Sequence, residues 1–156
     1  GGPNKAKYTG EFSYIPLKDK DPHHWGLDIK GSTFSIGNLQ NKDLVGNSVL
    51  VDSGTSGVSV DSNTAKLIND EIGAKDQFVD CATVDKLPEL TLTVGGIKFT
   101  IPSSTYIFKV PNTPYCLSAI LGRSSGQMVL GNVLMRNYYT LFDKEKKKIG
   151  FAPAKH

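Results

Sequence analysis

Short apolar alternations, each cut off within a few residues by Gly, Pro, Asn or Asp, run the length of this chain and leave little room for helix. A period of two between turn residues marks a strand that buries one face. Tyr8 to Leu17 alternates in this way around Phe12, Tyr14 and Ile15, and Trp25 to Ile29 and Thr33 to Gly37 follow. Val45 to Val51 leads into the hydroxyl-rich stretch Asp52-Ser53-Gly54-Thr55-Ser56-Gly57, and Val58 to Val60 leaves it. Leu90 to Ile101 reads as a hairpin about Gly95-Gly96, because two glycines supply the positive φ that a tight turn needs. Tyr139 to Ala152 reads as a second hairpin, and Val129-Leu130-Gly131 as a short buried run. One longer helix is expected, capped by Ser62 or Asn63, with Ala65, Leu67, Ile68 and Ile72 as its apolar stripe and Gly73 closing it. Asn132 to Tyr138 adds one or two helical turns capped by Asn132. With no repeat, linker or low-complexity segment, 156 residues of this pattern predict a mainly β single domain.

Charge narrows the partners. The formal net charge is +3, and most of the excess sits in Lys144-Glu145-Lys146-Lys147-Lys148. That run lies between Leu141-Phe142 and Ile149-Gly150-Phe151, so it reads as the solvated turn of the last hairpin. No recognition helix or aromatic stacking pattern accompanies it, and nucleic acid is not an expected partner. No apolar stretch approaches the roughly 20 residues of a membrane span, so no membrane partner is expected either. The opening Gly1-Gly2-Pro3 resembles neither an initiator region nor a targeting signal, which suggests a processed or trimmed chain. The two cysteines, Cys81 and Cys116, allow one disulfide or two free thiols, and the residues alone leave both readings open. His23, His24 and His156 lie elsewhere, so no metal site and no cofactor are expected. His23 and His24 fit a connecting turn beside Pro22, and Trp25, Tyr138 and Tyr139 fit packing, the two tyrosines beneath the loop at Asp52.

The stretch with chemistry in it is Val49-Leu50-Val51-Asp52-Ser53-Gly54-Thr55-Ser56. A carboxylate that leaves a buried apolar strand resists ionisation unless hydrogen bonds compensate. Ser53, Thr55, Ser56 and the Gly54 amide are placed to supply such bonds. Gly54 also leaves room for a close approach of backbone to a ligand. A carboxylate held in this way suits general acid–base work on a water molecule. The blander alternative for Asp52 is an Asx-turn at a strand end.

The longer pattern carries a resemblance. Val51-Asp52-Ser53-Gly54-Thr55-Ser56 resembles the second active-site signature of the pepsin-like aspartic proteases, and Val129-Leu130-Gly131 is similar to the segment that forms the ψ-shaped loop beneath it. Met135 to Asp143 followed by Lys148 to Ala152 resembles the family's closing helix and hairpin, and Leu87-Pro88-Glu89-Leu90 followed by Gly95-Gly96 resembles the segment before its C-lobe hairpin. The likeness runs from Tyr8 to the C-terminus. It departs at Asn132, where the family usually has aspartate, and at Gly57, where a larger residue is common.

The resemblance implies the C-terminal lobe of a pepsin-like fold, a β lobe of the six-stranded type with a ψ-loop and short helices. It pairs Cys81 with Cys116. It also implies an aspartic endopeptidase in which Asp52 is one of two catalytic aspartates, the other coming from an N-terminal lobe that residues 1–156 do not contain. Thr55 would bond the Asp52 carboxylate, Ser53 would tie the two active-site loops together, and Gly54 and Ser56 would meet the backbone of a peptide or protein substrate. Asp61, in Val60-Asp61-Ser62-Asn63, lacks the following glycine and reads as a surface turn or helix cap. The expected setting is the secretory pathway, a lysosome or vacuole, or the cell exterior. Two other readings are a catalytically silent binding protein on the same fold and a homodimer in which each copy donates Asp52, as in retroviral proteases.

Overall fold

The computed structural model of the protein describes residues 1–19 and 23–156. The first half contains β1 (Ser13–Pro16), β2 (Gly26–Asp28), β3 (Thr33–Ile36), β4 (Leu39–Asp43), β5 (Ser48–Val51), β6 (Val58–Asp61), α1 (Ser62–Glu71) and β7 (Phe78–Asp80). Then come β8 (Leu90–Val94), β9 (Ile97–Ile101), α2 (Ser103–Tyr106), β10 (Ile107–Lys109), β11 (Tyr115–Ser118) and β12 (Ile120–Arg123). β13 (Gln127–Leu130), α3 (Asn132–Met135), β14 (Tyr138–Asp143) and β15 (Lys148–Pro153) complete the chain. It is mainly β with short helices, as a single lobe of the pepsin-like fold is.

The central sheet has the order β12-β6-β13-β5-β2. β5 and β6 are consecutive, yet β13 lies between them, parallel to β5 and antiparallel to β6. This insertion makes the ψ arrangement and places the 52–57 connection directly over the end of β13. The unbroken buried runs Val58-Ser59-Val60 and Met128-Val129-Leu130 reflect strands covered on both faces. By contrast β8 alternates cleanly, with Leu90, Leu92 and Val94 fully buried and Thr91 and Thr93 between them half-buried. Its hairpin with β9 turns at Gly95 and Gly96, at φ of 57° and 79°. Two smaller sheets, β1-β15-β14 and β10-β11-β7, flank this body, and Phe34, Phe99, Ile68 and Leu130 are among its fully buried side chains.

Several details differ from the sequence expectation. The N-cap of α1 is Asp61, not Ser62 or Asn63, and its Oδ2 accepts from the Thr64 amide at 3.1 Å. An aspartate at the end of a strand already has the extended backbone that a cap needs, so the helix starts one residue early. Ala65, Ile68 and Ile72 of the expected stripe are buried, but Leu67 faces solvent, and α1 buries Thr64 and Asn69 as well. Gly73 follows α1 at φ of 75° and donates its amide to the Asp70 carbonyl, as a terminating glycine should. Asn132 is the first residue of α3 rather than its cap; Gly131 stands at the cap position and no side chain bonds there. Of the expected strand from Tyr8 to Leu17 only Ser13–Pro16 pairs, beside a lone bridge between Tyr8 and Ala154. β5 begins at Ser48, since Val45 is exposed and Gly46 turns the chain.

Tyr138 and Tyr139 pack as expected, but not beneath the active loop. Tyr138 stacks edge-on against Phe99, and its hydroxyl accepts from the Thr100 amide at 2.7 Å. Tyr139 joins Tyr8 and Phe12 in an aromatic cluster. Trp25 is half-buried with its ring edge-on to Phe142, at 5.0 Å between centroids. His23 and His24 form an exposed bend, while Pro22 lies outside the described residues. Residues 144–147 of the basic run form the exposed turn between β14 and β15, fastened where the Lys146 amide donates to Asp143 Oδ1 at 2.9 Å, and Lys148 opens β15.

Cys81 and Cys116 are joined in a disulfide that spans 35 residues, with their Cα atoms 5.3 Å apart. It ties the short 3-10 helix after β7 to β11. Closing a loop of that length should stabilise the fold by about 3–4 kcal/mol through the unfolded chain's lost entropy. The double variant Cys81→Ser/Cys116→Ser is therefore expected to unfold at markedly lower denaturant, and an unchanged midpoint would contradict that contribution.

Candidate active site

Asp52 leaves β5 where the strand's cover ends. Its amide donates to the Leu130 carbonyl at 3.0 Å, carrying the β5–β13 ladder one step beyond the strand. Both carboxylate oxygens are occupied from within the loop. Thr55 Oγ1 donates to Oδ2 at 2.7 Å and the Gly54 amide to Oδ1 at 2.9 Å, while the Thr55 amide reaches the Asp52 carbonyl at 3.3 Å. The Gly54 bond is the Asx-turn of the bland reading. The Thr55 bond and the clamp beneath the loop go beyond it.

That clamp consists of three backbone bonds from the segment after β13. Gly131 donates to the Gly57 carbonyl at 3.1 Å, Asn132 to the Thr55 carbonyl at 2.7 Å and Val133 to the Ser56 carbonyl at 3.1 Å. Two glycines make this approach possible. A Cβ on Gly131 would lie 2.1 Å from the Thr55 carbonyl oxygen and 2.6 Å from that of Gly57. A Cβ on Gly57 would lie 2.3 Å from the Ala119 oxygen, which accepts from the Val58 amide at 2.9 Å. Gly57 is thus demanded by the strand crossing here. At Gly54 the requirement is milder: a Cβ would press on Asp52 Oδ1 at 3.2 Å.

Asp52 itself is only half-buried, which corrects the expectation of a buried carboxylate. The strand behind it is covered, but the loop carries the side chain out to the open face of the lobe. Its pKa is lowered from the ordinary 3.8, first by the Thr55 hydroxyl, then by the Gly54 amide, with desolvation opposing both more weakly. A carboxyl with a depressed native pKa stabilises the fold above its unfolded value, and that contribution is lost as pH falls through the native value. Thr55→Val should therefore raise the Asp52 pKa and lower stability above about pH 4, with no difference in strong acid. Carboxyl-carbon NMR titration of the chain and its variant reads this shift directly, and an unmoved pKa would contradict the assigned cause.

The remaining signature residues lie at the same surface. Ser53 and Ser56 are exposed, and neither hydroxyl bonds within the chain among the described residues. Asp61 is not a second member of this site, since it caps α1. The resemblance placed Val129-Leu130-Gly131 beneath the loop, and Leu130 and Gly131 do bond to it; what the sequence did not reveal was the clamp from Asn132 and Val133 and the Gly57–Ala119 contact, which act through backbone and through a missing side chain. The φ of −101° at Gly131 is open to any residue, so only the observed approach explains that glycine.

The family profile described as eukaryotic aspartyl protease matches residues 1–154. Vacuolar protease A of Aspergillus fumigatus is 33% identical over 167 aligned positions, covering 99% of this chain and 40% of that protein. Cathepsin D of Chionodraco hamatus is 34% identical, with 99% and 41% covered, and pepsin-2B of Gadus morhua 32%, with 99% and 48% covered. The chain spans less than half the length of these curated relatives. With a carboxylate gripped at both oxygens on a clamped glycine loop and a profile match over nearly every residue, the chain belongs to the eukaryotic aspartyl protease family.

Proposed function

We propose that this chain is the C-terminal lobe of a pepsin-like aspartic endopeptidase and that Asp52 is one of its two catalytic aspartates. The observation that carries the reading is the Asp52 carboxylate, held at both oxygens by its own loop yet half-open to the outside. A carboxylate fixed so firmly, with its opposite side free, is prepared for a partner that the lobe does not contain. The second carboxylate comes from the N-terminal lobe, and a water molecule sits between the two.

Two carboxylates a few ångströms apart do not both ionise readily, so the pair shares one proton. The ionised member takes a proton from the water, whose oxygen attacks the peptide carbonyl. The protonated member donates to the carbonyl oxygen as it becomes tetrahedral. Collapse of that intermediate expels the amine, which leaves with a proton from the dyad. Thr55 and Gly54 keep the Asp52 carboxylate in one orientation through the cycle. Ser53 ties the loop to its counterpart, and the backbone of Gly54 and the hydroxyl of Ser56 receive the substrate chain. The relatives' names include vacuolar proteases, and with the disulfide they support an oxidising, acidic compartment of the secretory pathway.

The test compares the chain alone with the two-lobed protein on an unfolded protein substrate in acid. Pepstatin-sensitive cleavage is expected only from the two-lobed protein. Robust cleavage by the isolated chain as a monomer, or none by the two-lobed protein, contradicts the reading.

A further inference from the structure

Between α1 and β7 the chain makes a tight turn with an unusual backbone. Asp76 and Gln77 both lie in the left-handed region, at φ of 49° and 71°, while Lys75 and Phe78 exchange backbone bonds of 2.9 and 2.8 Å around them. Aspartate suits the first position of such a turn and glycine the second, so a glutamine in glycine's place must be held there by other bonds. Gln77 makes them. Its Nε2 donates to the Ser118 carbonyl at 3.1 Å and to the Ile120 carbonyl at 2.9 Å, and its Oε1 accepts from Asn69 Nδ2 at 3.1 Å. Its own carbonyl accepts from the Ser118 amide at 2.8 Å. Asn69 Nδ2 also donates to the Ile120 carbonyl, at 3.1 Å, and Asn69, Ser118, Ala119 and Ile120 are all buried. These bonds enclose Ala119, whose carbonyl takes the Val58 amide at 2.9 Å and would lie 2.3 Å from a Cβ on Gly57. Direct contacts therefore run from Gln77 through residues 118–120 to Gly57, the last residue of the connection that carries Asp52.

We propose that Gln77 is a positioning residue for the Asp52 loop: its side chain fixes the Ala119 carbonyl, and that carbonyl fixes the Gly57 end of the loop. This rests on the endopeptidase reading above. The Asp52 end of the loop is tied by the Leu130 carbonyl, and the middle by the Asn132 and Val133 amides. Gly57 is gripped from two sides, by the Gly131 amide at its carbonyl and by Ala119 at its Cα. Loosening residues 118–120 removes one of those sides. A primary amide fits the task, since its nitrogen donates to two carbonyls while its oxygen accepts from Asn69. Small displacements of a reacting group cost rate because proton transfer needs alignment, and they leave most of the substrate's binding surface untouched.

The experiment uses the two-lobed protein, with kcat counted per site titrated by pepstatin, so that misfolded molecules drop out of the comparison. Gln77→Gly removes the side chain and relieves the left-handed backbone, so the turn itself should survive. It should lower kcat by about five- to tenfold with KM unchanged. Gln77→Glu gives the sharper signature. Below about pH 4 its carboxyl is protonated and can donate to one of the two carbonyls, whereas the carboxylate formed at higher pH is repelled by both. Its kcat relative to the parent should therefore fall as pH rises from about 3.5 to about 5.5. The charges beside it are Asp76, next in the chain, and Lys66 and Asp70, which line the same hollow and pair with each other at 2.7 Å. Parent and variant share them, so they cancel in the ratio. Where Gln77→Gly fails to fold, Gln77→Glu decides alone. A kcat per site within about twofold of the parent in Gln77→Gly, or a Gln77→Glu deficit that does not change with pH, overturns the proposal and leaves the endopeptidase reading standing. Failure of the parent protein to cleave any substrate overturns both.

Discussion

Asp52→Asn in the two-lobed protein is expected to lower kcat by about three to four orders of magnitude with the fold intact. General acid–base catalysis by a positioned group is worth roughly 10²- to 10⁴-fold, and here the lost group serves in two proton transfers. The exchange is isosteric, and an amide oxygen can still accept from the Gly54 amide now 2.9 Å from Oδ1. Folding should therefore survive while proton transfer does not. Kinetics at acid pH, alongside circular dichroism, separate the two effects. Activity within tenfold of the parent would mean that Asp52 is a turn residue after all.

The second large effect is structural. Gly131→Ala should destabilise the chain by about 3 kcal/mol or more, since the new methyl would meet two backbone carbonyls that no rotamer change can move. Those carbonyls belong to Thr55 and Gly57, at 2.1 and 2.6 Å from the added carbon, so the loop that carries Asp52 has to lift. Gly26→Ala is the control: nothing lies within 4 Å of its Cβ position, and its stability should change little. Denaturant unfolding of both variants makes the comparison, and equal midpoints would show that the clamp is loose.

The same contrast explains what could be read from the sequence. Period-two runs such as Leu90 to Ile101, with a turn that only glycine makes easily, announce both their strands and their register. The signature at Asp52 was legible because it combines residue types that are needed together: an acid, a glycine and hydroxyls that can bond the acid. The Thr55 bond follows from that combination. The strands that escaped notice are short or polar. β4 is Leu-Gln-Asn-Lys-Asp on a sheet edge and shows no apolar alternation, and β7 and β10 have three residues each, too few for a period. Leu67 misled because an isolated leucine on a helix is compatible with either face. The half-exposure of Asp52 was also out of reach, since hydrophobicity of Val49 to Val51 reports the cover on the strand but not the direction the loop takes afterwards. Asn132 and Gly57 looked like departures from a pattern. Asn132 contributes its backbone to the clamp, and Gly57 is sterically required by the Ala119 carbonyl.

The central claim is that Asp52 is built to share a proton with a carboxylate from outside this chain. Carboxyl-carbon NMR titration of Asp52, in the chain alone and in the two-lobed protein, tests it most directly. Alone, Asp52 should titrate in one step below the ordinary aspartate value, because Thr55 and Gly54 favour its anion. In the two-lobed protein it should titrate in two coupled steps, one of them shifted upward. The same single low step in both would contradict the account.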